Sequence, residues 1–169
     1  CTEMHGFMLA DLDTNQPLTP YISWQDQRAT YRHHNKPSTF QRLESLRPIL
    51  MTKTGLSLRP GLPIVNLSDL QVHVSVPRSR FLTLTDWLLL RGGETMPLCH
   101  PSLAAGTGLY DLADNSWSTE LIARVGIDYA KLKMPSINNG NGPIGDIRLN
   151  ERILRVWGGL GDLQAAAHG

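Results

Sequence analysis

The last stretch of the chain constrains it most. Val156-Trp157-Gly158-Gly159-Leu160-Gly161-Asp162-Leu163-Gln164-Ala165-Ala166-Ala167 reads as a strand that enters a glycine-rich turn and leaves it as an alanine-rich helix. Its glycines take backbone conformations closed to other residues and let a ligand come close to the main chain. Asp162 falls at the helix N-terminus, where free N–H groups and the helix dipole keep a carboxylate ionised. Two roles are open to it. It is an N-cap, for which Asp is strongly preferred, or it is a base toward a hydroxyl bound against the glycine surface.

The rest of the composition excludes several classes. With 169 residues, 41% of them hydrophobic, the chain can bury one core. A formal net charge of +1, with no Lys or Arg cluster, argues against a nucleic-acid surface and against a polybasic membrane anchor. The apolar run Trp87-Leu88-Leu89-Leu90 is far too short to span a bilayer, and no signal peptide is visible. Cys1 and Cys99 have no framework spacing and point to a reducing compartment, hence a cytoplasmic protein. The chain opens with Cys1 in strand-like sequence and closes on Gly169 inside an expected helix. Residues 1–169 are therefore expected to be one segment of a longer protein.

Along the chain, Cys1 to Ala10 reads as a strand ending in the polar turn Asp11-Leu12-Asp13-Thr14-Asn15, and Tyr21-Ile22-Ser23-Trp24 as its hairpin partner. Ser38 with Gln41 forms a capping-box pattern ahead of Phe40, Leu43 and Leu46, in a helix that Pro48 limits or kinks. Gly55 to Pro63 is expected to be loop, and Phe81, Leu84 and Leu88 an amphipathic helix ending at Gly92-Gly93. Ser102 to Asp111, rich in small residues, reads as extended. Trp117 to Val125 reads as a short helix stopped by Gly126. Ile144 to Ile147 and Ile153 to Trp157 are expected strands. Helices and strands mix throughout, which makes the class α/β or α+β.

Two further clusters carry chemistry. In Met4-His5-Gly6 a neutral imidazole can bond a hydroxyl while the thioether packs on a carbon skeleton, or His5 is a satisfied structural residue. In Trp24-Gln25-Asp26-Gln27-Arg28 an aromatic face stands beside a carboxylate, amides and a guanidinium. That suits a sugar, with the ring on C–H faces and polar groups on hydroxyls. The alternative is an Asp–Arg ion pair closing a loop beside a buried Trp. His33-His34 and Cys99-His100 lack metal-site spacing. Gly106-Thr107-Gly108 has Asp111 where a dinucleotide fingerprint needs its third glycine, and neither a nucleophile elbow nor a P-loop is present.

Met4-His5-Gly6, Trp24-Gln25-Asp26-Gln27-Arg28, Ser102 to Asp111 and Gly158-Gly159-Leu160-Gly161-Asp162 occur in the order and approximate spacing of the FGGY carbohydrate kinases. Pro63-Ile64-Val65-Asn66-Leu67 and Thr85-Asp86-Trp87-Leu88 also fit. Over nearly its full length the chain resembles the later part of that family's N-terminal domain. The resemblance implies an α/β fold of ribonuclease-H-like, actin-like type, with a mixed sheet, flanking helices and two domains in the whole protein. Sugar would bind in the N-terminal domain at the interdomain cleft, and ATP mainly on the C-terminal one.

By the same resemblance Asp162 is the base that takes a proton from the sugar hydroxyl as it attacks the γ-phosphate. Met4 and His5 match the sugar-contacting pair of the xylulokinase-like branch, where glycerol kinases carry Arg-Glu. Trp24 and Asp26 match a W-x-D motif bordering the substrate. Two departures stand out: Leu163 follows Asp162 where the family has Asn or Gln, with Gln164 one position late, and Glu3 stands where Gln is usual. The Asp-Leu-Gln order is similar to sedoheptulokinase-type members. The implied activity is phosphorylation of a ketose or polyol by Mg-ATP in the full-length parent. The isolated segment is expected to be inactive without the nucleotide domain and the family's Asp-x-Gly-Thr-type strand. The rival is a non-catalytic sugar-binding or regulatory relative, which the Leu163 departure motivates. The expected partners are a small sugar or polyol and ATP, with no nucleic acid and no membrane; a homodimer is left open.

Overall fold

The structure, a computed structural model, describes residues 5–32, 36–73, 77–93, 98–138, 142–157 and 167. Its centre is a sheet of β1 (Met8–Asp11), β2 (Ser79–Leu82) and β6 (Leu132–Lys133), in that spatial order. β1 runs antiparallel to β2, with Met8 opposite Leu82, and β2 runs parallel to β6. Alternate residues of a strand face opposite sides. Phe7, Leu9 and Phe81 accordingly enter the main core, while Met8, Ala10 and Leu82 pack with Leu90, Tyr21 and Trp87 on the other side. A sheet apolar on both faces must be covered on both.

The main core is built from four helices. α1 (Thr39–Arg42) leads through a 3-10 turn, Leu43–Leu46, into α2 (Arg47–Thr54), and α3 (Pro63–His73) and α6 (Thr119–Arg124) complete the layer. Leu43, Leu50, Ile64, Val65, Leu67, Leu121 and Ile122 carry their apolar contacts. Phe7 stacks on Phe81 at 5.2 Å, and Trp117 meets Phe81 edge-on at 6.1 Å, an arrangement aromatic rings favour. α4 (Leu84–Arg91) supplies Leu90 and Trp87 to the opposite face. Smaller pairs complete the fold. β3 (Leu98–Cys99) lies parallel to β7 (Ser136–Ile137), β4 (Tyr110–Asp111) antiparallel to β5 (Ser116–Trp117), and α5 (Pro101–Ala105) packs between them. The two expected strands at the end of the described chain are present as β8 (Pro143–Leu149) and β9 (Arg152–Trp157), and they pair antiparallel as a hairpin.

Several expectations need correction. Among the described residues the two expected hairpin strands share one bridge, Phe7 with Ile22, while Ala10 bridges Pro17 in the segment between them; the ladder partner of β1 is β2. Phe81 belongs to that strand and not to a helix. The helix begins three residues later, where the Thr83 hydroxyl accepts from the Asp86 N–H and the Asp86 carboxylate accepts from the Thr83 N–H, a reciprocal cap visible in the sequence as Thr-x-x-Asp. Residues 101–105 are helical because Pro101 suits a first turn and His100 Nδ1 accepts from the Ser102 N–H. Pro63 likewise starts a helix that its place at the end of a loop concealed. Pro48 opens α2 where its missing N–H is harmless, while the Ser38–Gln41 box holds as expected. Trp117 lies in β5, and Ser118 caps the short helix that Gly126 follows at φ +78°.

Asp86 has a second consequence. Its side chain is wholly buried beside the Cys99 thiol. Burial pushes its carboxyl up to about 6, against hydrogen bonds from Thr83 that favour the charge. A carboxyl raised by folding stabilises the native state fully below its unfolded value, and that contribution is lost as pH rises through about 6. Between pH 4 and pH 7 the chain should therefore lose stability relative to Asp86→Asn, by up to about 3 kcal/mol. Urea denaturation of both proteins across that range checks this; parallel stability curves would show that folding does not raise the Asp86 carboxyl.

Candidate sugar site

The opening segment and the Trp24 turn converge. The Phe7 N–H donates to the Ile22 carbonyl at 3.0 Å, and the Phe7 carbonyl accepts from the Ile22 N–H at 2.7 Å. His5 lies two residues before Phe7 and Trp24 two residues after Ile22, on either side of this bridge. Trp24 is 51% exposed, an indole free to offer its face to a ligand.

A third segment, Arg59-Pro60-Gly61, ties the two together. The Arg59 guanidinium stands 3.1 Å from His5 Nε2, and a methyl placed on Gly61 would fall 1.9 Å from the Trp24 carbonyl oxygen. Gly61 has φ +88°, so this close approach and the backbone turn both require glycine. A guanidinium can only donate. His5 Nε2 must therefore accept, which puts the ring proton on Nδ1, where it donates to the Gly106 carbonyl at 2.7 Å. Both nitrogens of His5 are thus engaged within the protein, and Arg59 is the donor presented beside it. No sequence pattern singled out Arg59; its position two residues before a loop glycine gave no signal.

The Gly106-Thr107-Gly108 loop is the other anchor. Besides holding His5, it accepts the Ile64 N–H on the Thr107 carbonyl at 3.0 Å, and the Thr107 hydroxyl donates to the Ala104 carbonyl at 2.6 Å. The glycine motif that lacks a dinucleotide fingerprint is a buried brace between the His5 strand and the start of α3.

Asp26 occupies different surroundings. Its carboxylate accepts from Arg28 Nε at 2.8 Å and Nη2 at 2.5 Å, and this pairing holds it below the usual carboxylate range. It lines a cavity with Asn66 and Asp69 of α3, which neither His5 nor Trp24 borders. Of the two readings of the Trp24–Arg28 segment, the ion pair is present, but beside an exposed Trp24 and not a buried one. Met4, Asp162 and Gln164 lie outside the described residues, as do His33-His34 and the closing glycine turn. Among the described residues no three His, Cys, Asp or Glu side chains converge as a metal site, and no described helix is long and apolar enough to cross a membrane.

The mixed sheet is covered on both faces, and His5 and Trp24 both meet the Arg59–Gly61 loop. Residues 1–169 match the N-terminal domain of the FGGY family of carbohydrate kinases, and the chain belongs to that family. A glycerol kinase from Allorhizobium ampelinum is 31% identical over 170 residues, which cover 94% of this chain and 33% of the relative. A xylulose kinase from Staphylococcus xylosus is 29% identical over 134 residues, covering 75% of this chain and 25% of the relative. Among solved structures, a xyloylose kinase from Brucella ovis superposes with a TM-score of 0.76 at 26% identity, over 96% of this chain and 33% of that one. Plasmodium falciparum glycerol kinase with ADP reaches 0.81 at 17% identity, over 98% and 34%, a likeness of fold alone. The actin-like α/β class expected from sequence holds. The chain spans about a third of the length of its curated relatives, which include both glycerol and xylulose kinases.

Proposed function

We propose that the parent protein transfers the γ-phosphoryl group of Mg-ATP to a hydroxyl of a ketose or polyol, and that this chain supplies the sugar site and the base. The observation that supports it is the convergence of His5 and Trp24 on the Arg59–Gly61 loop. An exposed indole offers a C–H stacking face, and the Arg59 guanidinium fixed against His5 offers donors for hydroxyls. Met4 would add an apolar wall and Gln164 a further polar contact. Asp26 would reach the sugar only in competition with Arg28. Asp162 would take the hydroxyl proton, since phosphoryl transfer asks of the protein mainly positioning and charge stabilisation. This chemistry belongs in the cytoplasm, where ATP is available.

The second reading is a relative that binds sugar without phosphorylating it. Leu163 after Asp162 favours it. A coupled ATP-consumption assay of the full-length protein across ketoses and polyols separates the two. Turnover with at least one of them is expected. Measurable sugar binding with no turnover on any would establish the non-catalytic relative.

A further inference from the structure

Asn66 is only 6% exposed, yet neither end of its amide meets a hydrogen-bond partner among the described residues. Burying an amide unpaired incurs its full desolvation penalty, and folded proteins leave few such groups without a reason. Asn66 lies in the wall of a cavity of about 400 Å³, room for a small organic molecule. Asn66, Asp69 and His73 recur along one face of α3. Asp26, Arg28 and Tyr31 close the cavity from the segment after Trp24.

The polar groups select the ligand. Asp26 is already paired with Arg28, and Asp69 stands 3.5 Å from His73 Nε2. An anion would meet two carboxylates. An alkylammonium would suit those carboxylates but leave the Asn66 NH₂ without an acceptor, and an apolar ligand would leave both ends of the amide unmet. A hydroxyl donates and accepts through one oxygen. Neighbouring hydroxyls therefore satisfy both ends of the Asn66 amide and an Asp69 oxygen together. The Tyr31 ring, 61% exposed, offers a face for the C–H groups between them.

We infer that this cavity binds a small neutral polyhydroxy molecule, a sugar or polyol, at a site separate from the one His5 and Trp24 frame. The inference does not depend on phosphoryl transfer. It gives the domain a second place at which sugar level can be sensed.

Titration calorimetry of the full-length protein with xylitol, without ATP, tests it. Two classes of site per chain are expected. Asn66→Leu keeps the volume and removes the unpaired amide, so it should raise the melting temperature while weakening one class at least tenfold. It should leave the other class, and the KM for sugar, unchanged. Asp69→Asn, a near-isosteric change on an already formed helix face, should weaken the same class. Trp24→Ala should remove the other. Binding in which no class is weakened by Asn66→Leu and Asp69→Asn, whether one class or two is seen in the unsubstituted protein, would overturn the inference. Displacement of xylitol from this class by sulfate or tetramethylammonium would overturn the choice of ligand. Should Trp24→Ala leave both classes intact, the His5–Trp24 site fails and the cavity does not.

Discussion

If the proposed phosphoryl transfer is right, Asp162→Asn in the full-length protein is expected to lower kcat by roughly 10²- to 10⁴-fold, the usual worth of a positioned general base, while sugar affinity changes only a few-fold. The substitution is chosen because it separates the two roles that the sequence leaves open. Asn caps a helix about as well as Asp. If Asp162 served only as a cap, the variant would fold and turn over nearly as before. If it is the base, the amide still occupies the same space and still hydrogen-bonds a hydroxyl, but it takes no proton. Rapid-mix kinetics with the sugar identified by the ATP-consumption assay, beside a direct binding titration, give both numbers. A kcat close to that of the unsubstituted enzyme would remove Asp162 from the mechanism.

Gly61→Ala is expected to destabilise the fold by about 3 kcal/mol. Two contributions add. The residue has φ +88°, a region that an L side chain occupies at a penalty of roughly 1–2 kcal/mol. The new methyl also meets the Trp24 carbonyl oxygen at 1.9 Å and its carbon at 2.8 Å, backbone atoms with no side-chain freedom to rotate away. Relief must come from a shift of the main chain, typically another 1–3 kcal/mol. Gly93 provides the comparison: its φ is +111° but nothing lies within 4 Å of an added methyl, so Gly93→Ala should show the backbone penalty alone. Urea unfolding of the two variants should place Gly61→Ala well below Gly93→Ala. Equal stabilities would mean that the Arg59–Gly61 loop does not press on the Trp24 turn. The same shift draws Arg59 away from His5, so the Gly61 variant should also bind sugar more weakly than its residual folded fraction accounts for.

Of the site residues named from the sequence, the structure describes His5, Trp24 and Asp26. Met4-His5-Gly6 and Trp24 to Arg28 could be named because an imidazole beside glycine can meet a hydroxyl, because an aromatic face beside a carboxylate and a guanidinium suits a sugar, and because they fall in the order of a family. Arg59 could not, since nothing in Ser57-Leu58-Arg59-Pro60 distinguishes a surface arginine from one that fixes the tautomer of a histidine 54 positions earlier. Asp26 shows the opposite failure. Its neighbour in sequence, Trp24, suggested a shared site, yet the turn between them sends the carboxylate to Arg28 and the α3 cavity.

Local signals that act within a few residues were determined by the sequence alone: the Ser38–Gln41 cap, the Gly126 stop, the two closing strands, and the presence of enough apolar residues for one core. They depend on hydrogen bonds and backbone angles confined to one turn. Tertiary structure alone decided that Phe81 pairs as a strand with β1, that residues 63–73 are a helix with Asn66 buried on it, and that Gly106 and Arg59 grip His5 from two sides. Those outcomes depend on contacts between segments far apart in the chain. There the burial of apolar faces outweighs local preference, and no short window of sequence contains both partners.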